Sequence, residues 1–281
     1  MVDLSNIPVF QEEMAPGAYY NLPAEQYFTL TGASKSYGWQ LLNSTAYHMR
    51  YGDPQGIPPG TADPGTCVHD RFLEQVDRAV ESTYKTRSSD GWKKQYEYEK
   101  ARGKILLTAP DYEKVEGMVY ALNCRSDMRE FLEDPSTSTE VSVFARDPDR
   151  GIMLKGRMDM FNPAAGKIAD LKTCASAKQS DFEESVFKYG YHVQAAMYVY
   201  MCQLLGFEIR KFGFFCVEKK KPHATNILFL TTECEVFKQG TELMHTMLDA
   251  MRDDINTEEP TTGWPAASLL KVPASFNNLK T

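Results

Sequence analysis

The stretch from residue 151 to residue 172, GIMLKGRMDMFNPAAGKIADLK, constrains the fold of this chain more than any other. Residues 152–161 alternate apolar and polar side chains, which predicts a half-buried β-strand. Residues 162–166 have the composition of a turn, and residues 167–173 predict a second strand. The stretch is therefore predicted to be a β-hairpin.

Three charged side chains lie on this hairpin. Asp159 is on the first strand, whereas Asp170 and Lys172 are on the second. Because Asp170 and Lys172 are two residues apart, their side chains leave the same face of the sheet. A hairpin that returns after the turn can bring Asp159 beside Asp170. Two carboxylates and an amine on one face form a divalent-metal site with a cation next to it, and such a site suits phosphodiester hydrolysis.

The composition is that of a soluble globular protein. The chain has 281 residues, of which 42% are apolar and 25% charged, enough for one large domain or for one domain with a small appendage. No apolar run approaches the roughly 18 residues that a membrane span requires. The N-terminus lacks a basic region followed by an apolar core, so no signal peptide is predicted and we expect a cytoplasmic protein, in a bacterial host or a phage-infected cell.

Net charge and cysteine spacing exclude some functions. The net charge of −7 argues against a protein that coats nucleic acid over its whole surface, although it allows a local basic groove. No two cysteines have the CxxC spacing, which predicts reduced thiols rather than a zinc or iron–sulfur site. The six cysteines are Cys67, Cys124, Cys174, Cys202, Cys216 and Cys234.

The order of elements indicates the fold class. We divide the chain into an irregular N-terminal arm (1–33), a main domain (34–254) and a C-terminal tail (255–281). The helical pattern, with Ser34 as the first N-cap, covers residues 35–51, 65–80, 109–132 (continuous or restarted), 182–205 and 233–253. Further strands are predicted over residues 139–146, 208–218 and 225–230, and residues 84–105 are expected to include mobile surface. This order predicts an α/β fold, a mixed central sheet flanked by helices.

Several motifs in this order resemble a known nuclease superfamily. They are PGTCVHDRFLE with His69, GRMD with Asp159, DLK at residues 170–172, and YxxQxxxY with Tyr191, Gln194 and Tyr198. Together they resemble the PD-(D/E)xK superfamily with its restriction-endonuclease-like core, in particular the RecB-like branch and its RecE type, exodeoxyribonuclease VIII. The chain departs from many members by having Asp at position 170 instead of Glu. It also lacks the cysteine pattern of the iron–sulfur nucleases of that branch, so no cluster is expected.

The resemblance implies a metal site with the following roles. Asp159 and Asp170 would bind Mg²⁺ or Mn²⁺, in a site for two ions, with the carbonyl of Leu171 as a further ligand. Lys172 would orient or deprotonate the attacking water and stabilise charge on the phosphate. His69 would bind a second metal or contact the scissile phosphate. Without the motif, a lone histidine beside an apolar stripe is more often a packed core residue.

The resemblance also implies DNA contacts. Tyr191, Gln194 and Tyr198 share one face of a helix, so Gln194 would hydrogen-bond a DNA phosphate or a catalytic group, and Tyr198 would help position Lys172 or DNA. The alternative is a tyrosine stripe in the core. Lys178 and Lys188 are candidate phosphate contacts, although a single lysine is more often a solvated charge.

Two further glutamates lie near these motifs in the sequence. Glu140, on the strand before the hairpin, is either an extra carboxylate near the metals or an exposed edge charge. Glu74 is five residues from His69, a rotation of roughly 500° on an α-helix, so the two side chains would point about 140° apart. Glu74 is therefore expected to be structural.

The function that the resemblance implies is a metal-dependent exonuclease that degrades double-stranded DNA from its ends in the 5′→3′ direction, in recombination or phage DNA processing. Its relatives form rings around duplex DNA, which would let an acidic protein process DNA through a basic channel, and a single-strand annealing protein is a possible partner. One alternative is a nuclease of the same fold that acts on single strands or flaps, or as an endonuclease. A second alternative is a non-catalytic DNA-binding protein on a nuclease fold.

Overall fold

The computed structural model describes residues 14–52 and 63–259 of the chain. Residues 1–13 of the predicted N-terminal arm and most of the predicted C-terminal tail therefore lie outside the described residues. In the described ranges, no helix combines the length and the apolar character that a membrane span requires.

The helices and strands are interleaved along the chain. The helices are α1 Ala24–Thr29, α2 Lys35–Asn43, α3 Ala46–Tyr51, α4 Asp63–His69, α5 Asp90–Ala101, α6 Ala109–Asn123, α7 Ser126–Glu133, α8 Gln179–Lys188, α9 Tyr191–Leu204 and α10 Glu235–Ile255. A π-helical segment, Asp70–Glu74, follows α4 directly. The strands are β1 Gly17–Tyr19, β2 Ala79–Glu81, β3 Ile105–Leu107, β4 Ser138–Arg146, β5 Met153–Asn162, β6 Lys167–Cys174, β7 Lys211–Glu218 and β8 Thr225–Thr231.

The central sheet of the described chain has six strands in the order β1-β4-β5-β6-β7-β8. All neighbouring strands are antiparallel except β6 and β7, which are parallel. The crossover from β6 to β7 carries α8 and α9, as a parallel connection requires. The predicted mixed sheet flanked by helices is confirmed, and β2 and β3 form a separate parallel pair.

Both faces of the central sheet are covered. On β7, Phe212 and Phe214 face the cluster that includes the inner residues of α9 and α10, whereas Phe215 and Val217 face the cluster under α4 and α6. This alternation explains why β7 reads as an almost continuous apolar run, since each face of the strand meets a different layer of helices.

The hairpin predicted over residues 151–172 is present as β5 and β6. Its ladder runs from Asn162 and Lys167 to Met160 and Ala169 and ends there. Beyond that point β5 continues to pair with β4, and β6 pairs with β7. The two strands therefore separate at the position of Asp159 and Asp170, which opens space for side chains at the middle of the sheet.

The single helix predicted over residues 182–205 is wrong. The chain forms α8 and α9 with a break at Gly190, whose φ of +63° lies in the left-handed region that favours glycine. A Cβ at Gly190 would lie 2.6 Å from the ring of Trp39, so α2 packs directly against this break. The helical pattern continues through the break, which is why periodicity did not reveal it.

The predicted helix over residues 65–80 is also too long. Val68 and Phe72 are buried as expected, but the π-helical segment ends at Gln75, which has a φ of +54°. Val76 is 45% exposed, and Ala79 begins β2. The predicted apolar stripe therefore stops at Phe72 and Leu73.

Two segments are more regular than expected. In the N-terminal arm, β1 pairs with β4 and forms the edge of the sheet. In residues 84–105, α5 begins after Ser89, whose side chain accepts a hydrogen bond from the backbone of Trp92, and the Trp92 ring is buried. The prediction of an irregular arm is therefore wrong for β1. Residues 84–105 contain a regular helix, and the mobility of their exposed surface stays a prediction.

Candidate active site

The charged residues of the hairpin meet side chains from three other elements at the place where β5 and β6 separate. These elements are the end of α4, the beginning of α9 and strand β4. The residues that they bring to Asp159, Asp170 and Lys172 are His69, Gln194 and Glu140.

Asp159 occupies the gap between the separated strands. Its Oδ2 accepts a hydrogen bond of 2.7 Å from the backbone N–H of Leu171, in place of the missing ladder bond. The same oxygen lies 3.6 Å from Nδ1 of His69. Burial first, then the charges of Asp170 and Glu140, raises the pKa of Asp159 well above its usual range. The carboxylate is therefore unfavourable here unless a cation joins it.

Asp170 is balanced by two partners. Its Oδ2 lies 2.5 Å from Nζ of Lys172, and its Oδ1 accepts a 2.6 Å hydrogen bond from Nε2 of Gln194. Nζ of Lys172 also donates to Oε1 of Gln194 at 3.3 Å. The three side chains form a closed set, which fixes both carboxylate oxygens of Asp170 and the lysine head group.

The carbonyl of Leu171 faces the imidazole of His69. It lies 3.0 Å from Nε2 of His69, so one backbone residue bridges the histidine and Asp159. Burial lowers the pKa of His69, although the charges of Asp170 and Glu140 oppose this effect. The ring is therefore neutral at physiological pH, which is the form that binds a metal.

Glu140 lies directly opposite Asp159 on the neighbouring strand. Thr139 pairs with Met160 and Val141 pairs with Met158, so the register of β4 and β5 is the same on both sides of Glu140, and only the pair of Glu140 and Asp159 is missing from the ladder. The φ of Glu140 is +53°, a strained backbone conformation for a residue other than glycine, and its carboxylate lies beside that of Asp159. Of the two interpretations of Glu140, the structure favours the extra carboxylate near the site.

Arg157 holds Glu140 in this position. Its Nε donates a 2.5 Å hydrogen bond to Oε2 of Glu140, and its Nη1 donates to the carbonyl of Leu22 and to the hydroxyl of Ser142. Burial raises the pKa of Glu140, although Arg157 opposes this effect. The segment between β1 and α1, which contains Leu22, is therefore linked to Glu140 through Arg157.

The donor set fits a hard divalent cation. One ligand atom each of His69, Glu140 and Asp159 lies within 4.8 Å of the other two. Asp170 is not one of these three residues, and its buried Oδ2 is paired with Nζ of Lys172 at 2.5 Å. Carboxylate oxygens with a single imidazole are ligands of Mg²⁺ and Mn²⁺.

Lys172 remains charged in this environment. Burial would lower the pKa of its ammonium group, but the charges of Asp170 and Asp159 outweigh burial and raise it. Its Nζ also lies 4.5 Å from the centre of the Tyr191 ring. The lysine is thus held as a cation above an aromatic face.

The prediction for Tyr198 needs a correction. Tyr198 is buried in the core, and its hydroxyl donates to the carbonyl of Arg157, whereas Tyr191 is the tyrosine that contacts Lys172. A Cβ at Gly156 would lie 2.8 Å from the Tyr198 ring, so the glycine of GRMD makes room for this tyrosine.

The structure does not bring the two predicted DNA-binding lysines into the group. Lys178 has a side chain that is 73% exposed and lies 3.8 Å from Asp181. Lys188 is exposed at the end of α8, 5.4 Å from the Tyr189 ring. Their contacts with DNA stay predictions.

Sequence reasoning missed part of the site. No role was predicted for Arg157, the arginine of GRMD. Its position on the strand next to that of Glu140 was the signal that could have predicted their ion pair. Glu74 was excluded on α-helical geometry, but residues 70–74 are π-helical, and its charge helps to raise the pKa of Glu140. The cysteines are free; Cys67, Cys202 and Cys216 are buried and Cys124 is exposed.

A mixed sheet with Asp159 and the DxK sequence at the point where two strands separate defines a PD-(D/E)xK-type core. The chain belongs to the family of the PDDEXK-like domain of unknown function (DUF3799), whose pattern matches residues 61–263, more than half of the chain. The predicted superfamily is thereby confirmed.

One solved structure supports this fold, and a second is a more distant match. A protein from Eubacterium rectale named "Putative exonuclease" is 17% identical, with a TM-score of 0.59 over 92% of this chain and 98% of its own. A phage related exonuclease from Haemophilus somnus 129PT is 11% identical, with a TM-score of 0.34 over 67% of this chain and 93% of its own. No curated protein matches the chain.

Proposed function

We propose that this protein is a metal-dependent exonuclease of the RecE type that hydrolyses double-stranded DNA from its ends in the 5′→3′ direction, in recombination or phage DNA processing. The observation that carries the proposal is the convergence of Asp159, Glu140 and His69 beside the Asp170–Lys172 pair. The family and the "exonuclease" name of the E. rectale structure support the same reaction class.

The residues divide the work of hydrolysis. His69, Glu140, Asp159 and the Leu171 carbonyl would hold Mg²⁺ or Mn²⁺ with Asp170. When bound, the metal would polarise a phosphate oxygen and lower the pKa of water. Lys172, already cationic and fixed by Gln194, would orient the attacking water and stabilise negative charge on the phosphate. Because the lysine is protonated in the metal-free protein, electrostatic stabilisation is the role that its environment supports.

The substrate test uses linear duplex, single-stranded and closed circular DNA, each with Mg²⁺ and with EDTA. We expect mononucleotides from the linear duplex with Mg²⁺ only, and earlier release of a 5′ label than of a 3′ label. Cutting of the closed circle would instead indicate an endonuclease, and faster loss of single strands would indicate a flap or single-strand nuclease. Binding of DNA without hydrolysis in any metal would indicate a non-catalytic DNA-binding protein.

The assembly belongs to the same proposal. A homo-oligomeric ring around the duplex would explain how a chain with a net charge of −7 processes DNA, because only the channel needs to be basic. A single-strand annealing protein would take up the strand that remains. Light scattering of the protein tests the ring, since a monomer at working concentration contradicts it.

A further inference from the structure

A second lysine, Lys35, lies close to the DxK motif although it comes from the other end of the chain. It is the first residue of α2, after the N-cap Ser34. Its Nζ donates a 2.5 Å hydrogen bond to the carbonyl of Tyr189, at the break between α8 and α9. The packing of Trp39 against Gly190 fixes α2 at this break, so the position of Lys35 is set by the fold.

Lys35 and Lys172 share one aromatic ring. Nζ of Lys35 lies 6.0 Å from the centre of the Tyr191 ring and 5.0 Å from that of Trp39, and Nζ of Lys172 lies 4.5 Å from the centre of the same Tyr191 ring. The two ammonium groups are therefore no further apart than the sum of their distances to that centre. Both cations lie near Tyr191, the first residue of α9.

The charge of Lys35 is not balanced as that of Lys172 is. Lys172 has Asp170 at 2.5 Å, whereas Lys35 makes no ion pair with any carboxylate in the described part of the chain. Its contacts are a carbonyl and two ring faces. A partly buried cation without a counter-charge is unfavourable, so the site gains when an anion binds next to it.

The electrostatics of the site agree with this geometry. Burial and the nearby charge of Lys172 lower the pKa of Lys35 to about 8, although Asp170 opposes them. Lys35 therefore senses both members of the DxK pair. The ammonium form still predominates at neutral pH, and a phosphate would stabilise it further.

We propose that Lys35 is a second phosphate-binding residue of the active site and contacts the DNA phosphate next to the one that is hydrolysed. The proposal rests on the proposed function, because it takes Lys172 to be at the scissile phosphate. In a DNA strand the neighbouring phosphate is the anion that always accompanies the scissile one. Lys35 thus contributes to DNA binding and determines which phosphodiester bond is placed at Lys172.

Lys155 offers a matched control. Like Lys35 it is a partly buried lysine whose Nζ donates to a carbonyl, that of Leu30 at 2.7 Å, and lies over a ring, that of Tyr27 at 5.1 Å. Burial lowers its pKa as well. Lys155 makes no contact with Tyr191 or the DxK pair among the described residues, so Lys155→Met removes the same chemistry away from the site.

The experiment measures DNA affinity in Ca²⁺ and cleavage in Mg²⁺ for the wild type, Lys35→Met, Lys35→Arg and Lys155→Met. The duplexes carry a neutral methylphosphonate at one phosphate on either side of the terminal scissile bond, or lack the terminal phosphate. With normal DNA we expect Lys35→Met to weaken binding and raise KM about 10-fold, with a smaller change in kcat. We expect Lys35→Arg to retain most affinity and Lys155→Met to match the wild type.

The neutral phosphates decide the result. At one position the methylphosphonate should weaken DNA binding by the wild type about 10-fold and leave the affinity of Lys35→Met unchanged. The salt dependence of DNA binding should be weaker for Lys35→Met than for the wild type, by the amount that corresponds to about one phosphate contact. If the terminal phosphate gives this pattern, the neighbouring phosphate is the terminal one. If every neutral phosphate costs the variant as much as the wild type, Lys35 is only a cap of α8 and the proposal fails. Affinity in Ca²⁺ is readable even without hydrolysis, so a failure of the proposed function is seen separately.

Discussion

Asp159 and Asp170 are two carboxylates on neighbouring strands of one sheet, yet their surroundings differ. Asp170 has an ion pair with Lys172 and a hydrogen bond from Gln194. Asp159 has a backbone N–H and a neutral histidine, and Glu140 adds a second negative charge nearby. The Asp170 side of the site, which is Asp170 with Lys172 and Gln194, is therefore neutralised within the fold. The Asp159 side, which is Asp159 with His69 and Glu140, lacks positive charge.

This difference separates two tasks that one site must perform. The Asp170 side fixes a lysine in its charged form without help from a ligand. The Asp159 side is built at a cost to the metal-free protein, which includes a strained Glu140 and a carboxylate with a raised pKa. Such an arrangement is typical of a functional site in which nearby carboxylates repel one another until a cation binds.

The largest expected effect is on catalysis, from the Asp170 side. Lys172→Met should lower the rate of DNA hydrolysis by about 10²- to 10⁴-fold, because the cation at the phosphate is lost. Binding of Mn²⁺, measured by calorimetry, should persist because Lys172 is not a ligand. Lys155→Met serves as the control, and a Lys172→Met protein that keeps wild-type activity would refute the assigned role.

The next effect is on stability. Asp170→Asn should lower the free energy of unfolding of the metal-free protein by about 3 kcal/mol, since it leaves Lys172 largely buried without its counter-charge. The double variant Asp170→Asn/Lys172→Met should regain most of this loss. Denaturant titration measures both, and equal stability of the single and double variants would argue against a coupled pair.

A smaller effect is expected at Arg157, on the Asp159 side. Arg157→Met removes the partner of Glu140 and the links to Leu22 and Ser142, and should cost about 2 kcal/mol in the metal-free protein. Mn²⁺ should restore more stability to this variant than to the wild type, because Glu140 no longer has an arginine partner. The thermal midpoint with and without Mn²⁺ gives the comparison, and equal metal effects would contradict it.

The smallest effect has the opposite sign. Asp159→Asn should stabilise the metal-free protein by on the order of 1 kcal/mol at neutral pH. A carboxyl group with a raised folded-state pKa carries no penalty below its unfolded pKa of about 3.9, and the penalty grows as the pH rises toward the folded value. The stability difference between variant and wild type should therefore vanish near pH 4 and grow toward neutral pH. A difference that is constant with pH would exclude titration of Asp159 as its cause.

The sequence predicted the parts of the site that depend on local pattern. The spacing of Asp170 and Lys172 fixed their common face, and the turn at residues 162–166 fixed the hairpin. The match of the motif order to a known superfamily supplied His69 and Gln194. The predictions for Asp170, Lys172 and the hairpin needed only strand alternation and turn composition, whereas those for His69 and Gln194 depended on the resemblance.

What the sequence did not reveal depends on breaks in those patterns. Glu140 has a positive φ and interrupts the ladder between β4 and β5, residues 70–74 form a π-helix, and Gly190 divides a helix whose apolar pattern is continuous. The break at Gly190 packs against Trp39, a tertiary contact that no local pattern encodes. Lys35 is a further case, because its approach to the site depends on how α2 packs on the break.

The most direct test of the account compares the effect of Mn²⁺ on the thermal midpoints of the wild type and Asp159→Asn. At a metal concentration well above the dissociation constant, we expect the wild-type midpoint to rise by about 5 °C. The variant, which already lacks the unfavourable charge and one ligand, should show almost no rise. Equal increases in both proteins would contradict the claim that the Asp159 side is the part of the site that a metal completes.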